Sequence, residues 1–122
     1  LTYSITAGNT GSAFAIDSAT GEITVNDVTQ LDFETGPVFN LTVQVQDNGT
    51  GTLADTATVT VNLTDVNEAP VIGNQSFSVA ENTANGTSVG TVSASDPDAA
   101  DTLVYSITAG NTGGAFAIDS AT

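Results

Sequence analysis

Hydrophobic and polar residues alternate along several short stretches of the chain, the pattern expected of β-strands with one buried face. Three stretches carry inward hydrophobic residues at every second position: Leu1, Tyr3 and Ile5; Leu41, Val43 and Val45; and Ala57, Val59, Val61 and Leu63. Shorter runs at 13–17, 22–25, 76–81 and 88–95 bring the predicted strands to seven, separated by Gly, Asn, Asp and Pro. Short strands at this spacing predict an antiparallel β-sandwich.

A long internal repeat indicates how the chain is organised. The sequence LTYSITAGNTGSAFAIDSAT at 1–20 returns at 103–122 with 18 of 20 residues unchanged, which is a period of 102 residues. The alternation stops at DVNEAP (65–70), which ends in a proline, so this segment is predicted to be a linker. We therefore predict that residues 1–64 are the C-terminal part of one repeat and that 71–122 are the N-terminal part of the next.

The charge balance restricts what the chain can bind. It has 14 Asp and Glu but no Lys, Arg or His, so its formal net charge is −14. Without cationic side chains it cannot neutralise phosphates, which excludes nucleic-acid binding and attraction to anionic lipids. No apolar run approaches the roughly 20 residues that cross a bilayer, so no membrane insertion is expected within this segment. The lack of Cys and His leaves oxygen as the only strong metal ligand, which favours hard cations such as calcium.

The same composition excludes most enzyme chemistry. Nucleophile–base pairs need His, Lys or Cys, and phosphoryl transfer needs Lys or Arg. Only a pair of carboxylates is left, for which Asp32 and Glu34 are the best glycosidase-type candidate. Two acids on one short turn are far more common as solvated surface, so the chain is predicted to be non-enzymatic.

Six short motifs follow one another in an order typical of one protein family. They are FAIDSATGEI at 14–23, LDFE at 31–34, VQVQDNG at 43–49, DVNEAP at 65–70, AEN at 80–82 and SASDPD at 93–98. Each is weak alone, but together they resemble the cadherin repeat, whose corresponding motifs are FxIDxxTGxI, LDRE, AxDxG, DxNDNxP, PEN and DxD. The resemblance covers the whole period. It implies a seven-stranded Greek-key, immunoglobulin-like β-sandwich of the cadherin type, in a tandem array.

The resemblance also implies calcium sites, because cadherin domains and their linker share the ligands of each junction. Carried over residue by residue, it implies one set here: Asp32 and Glu34 upstream, Asp65, Asn67 and Glu68 in the linker, and Asp96 and Asp98 downstream. Asp47 and Glu81 match ligands that serve other junctions. The linker departs from the family pattern at Glu68 and Ala69, and Pro70 comes one residue early, which leaves the number of ions at two or three.

The remaining polar residues have simpler interpretations. Asp17 and its equivalent Asp119 are predicted to cap turns, whereas solvated loop acids are predicted at Asp27, Asp55 and Asp101. Five Asn-x-Ser/Thr triplets, at Asn40, Asn48, Asn62, Asn74 and Asn85, are glycosylation acceptors in an exported protein, although composition alone produces such triplets in a Thr-rich chain.

These features together predict a structural repeat of an extracellular fibre, stalk or cell-surface protein, with calcium making the junctions between its cadherin-like domains rigid. Its partners are then neighbouring repeats of the same chain or fibre, and like molecules on other cells. The near-identity of the two copies favours export by a bacterium or archaeon. Two alternatives stay open: an adhesin for cells or carbohydrate, and a strand-complemented, pilus-like subunit. The surplus copy of 1–20 favours a continuous array over such subunits.

Overall fold

The computed structural model describes residues 1–121, which divide into two compact units, Leu1–Val66 and a second that begins at Asn67. The first unit contains five strands: β1 Thr2–Ala7, β2 Phe14–Ile16, β3 Ile23–Val25, β4 Val38–Gln46 and β5 Ala54–Asn62. β4 is the centre of an antiparallel sheet in the order β1-β4-β5, and β2 pairs with β3 in a second antiparallel sheet. These five strands match those predicted from the alternation in this half of the chain.

The core of the first unit joins its two sheets. Phe14 of β2 and Phe39 of β4 meet edge to face, with ring centroids 5.1 Å apart. Ala13 and Leu41 are buried beside them. The partly buried hydrophobic residues that pack against this cluster are Ile5, Ile23, Leu31, Val43, Val59, Val61 and Leu63. The inward-facing hydrophobic residues of β4 and β5 therefore form most of one side of the core.

β1 lies on β4 in a register that pairs Tyr3 with Val45 and Ile5 with Val43. A register shift between Ile5 and Ala7 marks a bulge, after which the chain turns at Gly8 with φ +78°. A Cβ at Gly8 would overlap the carbonyl oxygen of Asn40. Glycine at this position therefore allows both the positive φ and the close approach of the turn to β4.

The second unit has a short two-stranded antiparallel sheet, in which β6 (Val71–Ile72) pairs with β7 (Ala94–Ser95). The side chain of Gln75 extends this pairing, because its Nε2 donates to the carbonyl of Ser93 at 2.7 Å and its Oε1 accepts from the Ser93 amide at 2.9 Å. Residues 1–121 thus form an antiparallel, all-β chain, as predicted. Their helices are single 3₁₀ turns, and none is long or apolar enough to cross a membrane.

The strands of the second unit are shorter than the sequence predicts. Residues 76–81 form no strand, only Ala94–Ser95 of 88–95 is in a ladder, and β6 is a strand that the alternation did not indicate. These predictions were wrong because alternation reports only which side chains face inward. A strand also needs a partner whose backbone completes its hydrogen bonds.

Three acids outside the predicted calcium sites can be compared with their predicted roles in turns and loops. The Oδ1 of Asp17 accepts from the amides of Ala19 and Thr20, at 2.9 and 2.8 Å, which confirms it as a turn cap. Asp119 accepts from the amide of Ala121 at 2.8 Å in the same way. Asp55 lies in β5, so its prediction as a loop acid was wrong.

Candidate metal centre

Two predicted ligands of the first unit lie close together. Carboxylate oxygens of Glu34 and Asp65, both exposed side chains, lie within 4.8 Å of each other. Antiparallel pairing explains this, because Val38 at the start of β4 is opposite Asn62 at the end of β5. The chain that enters β4 and the chain that leaves β5 are therefore neighbours, and each carries one of the two acids.

Asp32 is held within its own turn. It accepts hydrogen bonds from the amide and the hydroxyl of Thr35, each at 2.9 Å. The backbone bond and then the side-chain bond hold the pKa of the Asp32 carboxyl below its usual value. Asp32 is therefore ionised at neutral pH, as a calcium ligand must be. In the described part of the chain it does not belong to a group of three or more clustered acids.

The second unit brings Glu68 and Asp98 together. The backbone amide of Glu68 donates to Oδ2 of Asp98 at 2.9 Å, and carboxylate oxygens of the two residues lie within 4.8 Å of each other. The pairing of Val71 with Ser95 places the residues before β6 beside those after β7. The linker acid and the downstream acid of the predicted set are thus adjacent.

Asp96 and Asp98 form a second arrangement in this unit, together with Asp101. The amide of Asp98 donates to Oδ1 of Asp96 at 3.1 Å, and carboxylate oxygens of all three acids lie within 4.8 Å of one another. Asp101 is predicted from the sequence as a solvated loop acid. Its place beside the other two results from a turn in which its amide donates to the carbonyl of Asp98 at 2.9 Å. The three-residue spacing within DPDAAD was the signal that could have indicated this turn.

Three candidate ligands remain, of which Asp47 and Glu81 belong to no cluster of three acids among residues 1–121. Asn67 donates from Nδ2 to the carbonyl of Glu68 at 3.1 Å. Asp47 closes the loop between β4 and β5, where its Oδ1 accepts from the amides of Gly49 and Leu53, at 3.1 and 2.9 Å. Glu81 is exposed on a turn and, among residues 1–121, is in no cluster of three acids.

The donor atoms of these groups fit calcium. They are carboxylate oxygens, with the amide oxygen of Asn67 on the same segment as Glu68, and calcium prefers six to eight oxygen ligands. A pair such as Glu34 and Asp65 is too small to fill such a sphere. Each unit on its own therefore offers part of a coordination shell.

An antiparallel β-sandwich whose strand ends carry grouped acids defines the class of protein as a cadherin-type repeat. The family profile of the Cadherin domain matches residues 1–64 and 75–122, and the chain belongs to this family. It is 40% identical to human Protocadherin Fat 1 over 124 residues, which cover 98% of this chain and 3% of that protein. It is 47% identical to Protein dachsous of Drosophila melanogaster over 103 residues, 80% of this chain and 3% of that protein.

Solved structures agree with this assignment. The structure described as "Protocadherin gammaB7 EC3-6 cis-dimer structure" aligns with 78% of this chain and 23% of its own, with a TM-score of 0.53 and 35% sequence identity. The immunoglobulin-like, cadherin-type sandwich predicted from the sequence is therefore confirmed. The chain spans about 3% of the length of the curated relatives named above.

Family membership assigns the two units a non-enzymatic role, and cadherin domains generally bind calcium. The division into 1–64, a linker at 65–70 and 71–122 stays a prediction, as does the assignment of each calcium ligand. The pairs Glu34–Asp65 and Glu68–Asp98 each bring two of the predicted calcium ligands together.

Proposed function

We propose that this chain is part of an extracellular array of cadherin repeats, in a fibre, stalk or surface protein, and that calcium bound by its acids makes the repeat junction rigid. One observation carries the proposal: in each unit, two of the predicted ligands have carboxylate oxygens within 4.8 Å of each other. The partners of the chain are then neighbouring repeats of the same kind.

A cation is needed to keep the acids of each pair close together, because the two carboxylates of a pair repel each other. Two like charges about 4 Å apart cost roughly 1–4 kcal/mol at effective dielectric constants of about 80 to 20. The chain has no cationic side chain that could offset this cost. A bound divalent cation neutralises the acids and ties together the segments that carry them.

The proposed ligands are those of the sequence-based set: Asp32, Glu34, Asp65, Asn67, Glu68, Asp96 and Asp98, with Asp47 and Glu81 serving other junctions. Extracellular modules bind calcium with dissociation constants of about 10⁻⁴ to 10⁻³ M, which is the range of calcium outside cells. The same affinity would leave the sites empty at cytosolic concentrations. This supports a location on the cell surface or in a secreted fibre.

Isothermal titration of the chain with calcium tests this proposal. We expect Glu34→Gln to weaken binding by about tenfold or more, because it removes one charged ligand and leaves the shape of the side chain. Glu22→Gln is the matched control, since Glu22 is exposed, precedes β3 and is in no acid cluster of the described residues. It removes the same charge and should leave the affinity nearly unchanged.

Equal losses of calcium affinity in the two variants would contradict the proposal, since they would mean that the affinity depends only on the net charge of the chain. Absence of saturable binding at millimolar calcium would contradict it as well. Electron microscopy of several linked repeats then tests rigidity, with straight rods expected in calcium and bent ones in chelator.

A further inference from the structure

The tripeptide Asn-Gly-Thr occurs twice in the chain, at 48–50 and at 85–87. Both asparagines are exposed, Asn48 in the loop between β4 and β5 and Asn85 in a turn of the second unit. In an Asn-Gly pair the backbone nitrogen of glycine can attack the side-chain amide of asparagine, because glycine has no Cβ to hinder the approach. The three residues are identical, so a difference in reactivity between the two pairs must come from the structure around them.

The loop after β4 holds the backbone amide of Gly49 in a hydrogen bond. This amide donates to Oδ1 of Asp47 at 3.1 Å, and the same oxygen accepts from the amide of Leu53 at 2.9 Å. The amide of Thr52 donates to the carbonyl of Gly49 at 3.1 Å, which fixes the loop further. A carboxylate beside the Gly49 nitrogen disfavours loss of the amide proton, because removing that proton would create a second negative charge next to the first.

The turn at 84–87 leaves the amide of Gly86 without such a partner. The carbonyl of Ala84 accepts from the amide of Thr87 at 3.3 Å and from its hydroxyl at 2.8 Å. Gly86 has φ +84°, as the third residue of a type II turn does, and no atom lies within 4 Å of the place where its Cβ would be. Among residues 1–121, neither the Gly86 amide nor the Asn85 side chain makes a hydrogen bond.

We propose that Asn85 is a site of spontaneous deamidation and that Asp47 protects Asn48 from the same reaction. The Gly86 amide gives its proton to hydroxide, and its nitrogen forms a bond to Cγ of Asn85. The Cγ–Nδ2 bond breaks, and Nδ2 takes up a proton and leaves as ammonia. Water then opens the cyclic succinimide. If the new bond from the nitrogen to Cγ breaks, residue 85 becomes aspartate; if the bond from the nitrogen to the main-chain carbonyl carbon breaks, it becomes isoaspartate. The nitrogen regains a proton in either case, so the net reaction consumes one water and releases one ammonia.

The reaction changes both the charge and the backbone of the turn. Either product adds a negative charge to a chain whose formal net charge is −14 and which has no cationic side chain. Isoaspartate also lengthens the main chain between residues 85 and 86, which disturbs the geometry in which Thr87 donates to Ala84. The turn that follows the AEN motif is therefore a site of irreversible change as the protein ages.

Mass spectrometry of the whole chain, produced without glycosylation and incubated in mildly alkaline buffer, tests the proposal. Chelator is present so that no cation competes for Asp47. Cleavage after glutamate separates Asn48, in the fragment 35–68, from Asn85, in the fragment 82–122. We expect Asn85 to react about tenfold faster than Asn48 or more, because the Gly49 amide must first give up a hydrogen bond to a charged group. In urea the two rates should become similar, since the tripeptides are identical.

Two aspartate variants test the protective role of Asp47. Asp47→Ala removes the acceptor of the Gly49 amide and should speed the reaction of Asn48 by about tenfold. Asp55→Ala is the matched control, since it removes the same charge near the same loop but accepts from the amide of Thr56 instead. It should leave the rate at Asn48 nearly unchanged.

Three outcomes would overturn the proposal. The first is a folded chain in which Asn48 reacts as fast as Asn85. The second is an Asn85 that stays unchanged in the folded chain while both asparagines react in urea. The third is an equal rate at Asn48 in Asp47→Ala and Asp55→Ala, which would mean that the hydrogen bond from Gly49 to Asp47 gives no protection.

Discussion

The ring of Phe14 meets the ring of Phe39 at an interplanar angle of 86°, and this contact lies at the centre of the core that joins the two sheets of the first unit. Phe14 lies in β2 and Phe39 in the central strand β4. The contact explains why two copies of one sequence differ so much in burial. Phe116 has the neighbours in sequence that Phe14 has, but no ring packs on it among the described residues.

Truncating the two phenylalanines should have unequal costs. Phe14→Ala removes a buried ring and is expected to lower the free energy of unfolding of the first unit by about 3–4 kcal/mol. Phe116→Ala removes a half-exposed ring and should cost about 1 kcal/mol in the second unit. The chain has two tyrosines, Tyr3 and Tyr105, one in each unit. Urea unfolding followed by tyrosine fluorescence, with the other tyrosine replaced by Phe and at low chain concentration, measures each unit. Equal costs would contradict the role assigned to Phe39.

The strands of the first half could be predicted from the sequence because each has a partner nearby in the same unit. Alternation identified the inward residues along β4 and β5, and five of the seven, Leu41, Val43, Val59, Val61 and Leu63, belong to the core cluster or pack on it. The same signal failed at 76–81, where inward-facing residues such as Phe77 and Val79 remain about half exposed. Burial of a strand depends on which other segment covers it, and period-2 alternation carries no information about that segment.

The candidate site was predictable to a similar extent. The order of the acidic motifs indicated seven related ligands at this junction, and the carboxylates of four of them, Glu34 with Asp65 and Glu68 with Asp98, lie close together within each unit. The LDFE motif could not show that the amide and the hydroxyl of Thr35 donate hydrogen bonds to the carboxylate of Asp32. Those bonds depend on the conformation of the turn at 32–35. The proximity of Asp101 to Asp98 likewise results from a local backbone turn.

Alanine substitution at two equivalent glycines should separate two contributions to the loss of stability, the strain of a positive φ and the steric overlap of the added Cβ with a neighbouring strand. Gly8 and Gly110 both have positive φ, +78° and +76°, so either substitution costs about 1 kcal/mol of strain. Only at Gly8 does the added Cβ also overlap Asn40, which should add about 1–3 kcal/mol. We expect Gly8→Ala to lower the urea midpoint of the first unit clearly more than Gly110→Ala lowers that of the second. Closely similar shifts of the two urea midpoints would mean that the turn at Gly8 can move away from β4 at little cost.

The stability of the first unit should depend on the ionisation of Asp27. The hydroxyl of Thr29 and then its amide donate to this carboxylate, at 2.7 and 3.0 Å, and hold its pKa below the ordinary value of 3.8. A carboxyl with a lowered pKa stabilises the fold fully above its unfolded value, and this contribution disappears as pH falls through the folded value. Asp27→Asn should therefore be less stable than the original chain at neutral pH, with the difference shrinking below a pH of about 3.8.

Urea unfolding of the two chains at a series of pH values checks the prediction for Asp27. Glu22→Gln, which also removes one acid, serves as the control for net charge, because protonation of many acids also relieves their mutual repulsion. A stability difference between Asp27→Asn and the original chain that stays constant down to the lowest pH would contradict the role of the Thr29 hydrogen bonds.

Removing calcium should leave the strands of the first unit intact. Its core consists of Ala13, Phe14, Phe39 and Leu41, all apolar, whereas the proposed ligands Glu34 and Asp65 are exposed, with Asp65 three residues beyond the end of β5. Chelation leaves this acid pair unneutralised, a cost of roughly 1–4 kcal/mol that the turn can relieve by moving its side chains apart in solvent. The far-ultraviolet circular dichroism of the chain should therefore keep its β signal in chelator, with a lower urea midpoint than in calcium. Loss of the β signal on chelation would mean that the ions hold the sandwich itself together, and an unchanged midpoint would mean that no calcium ligand lies on this unit.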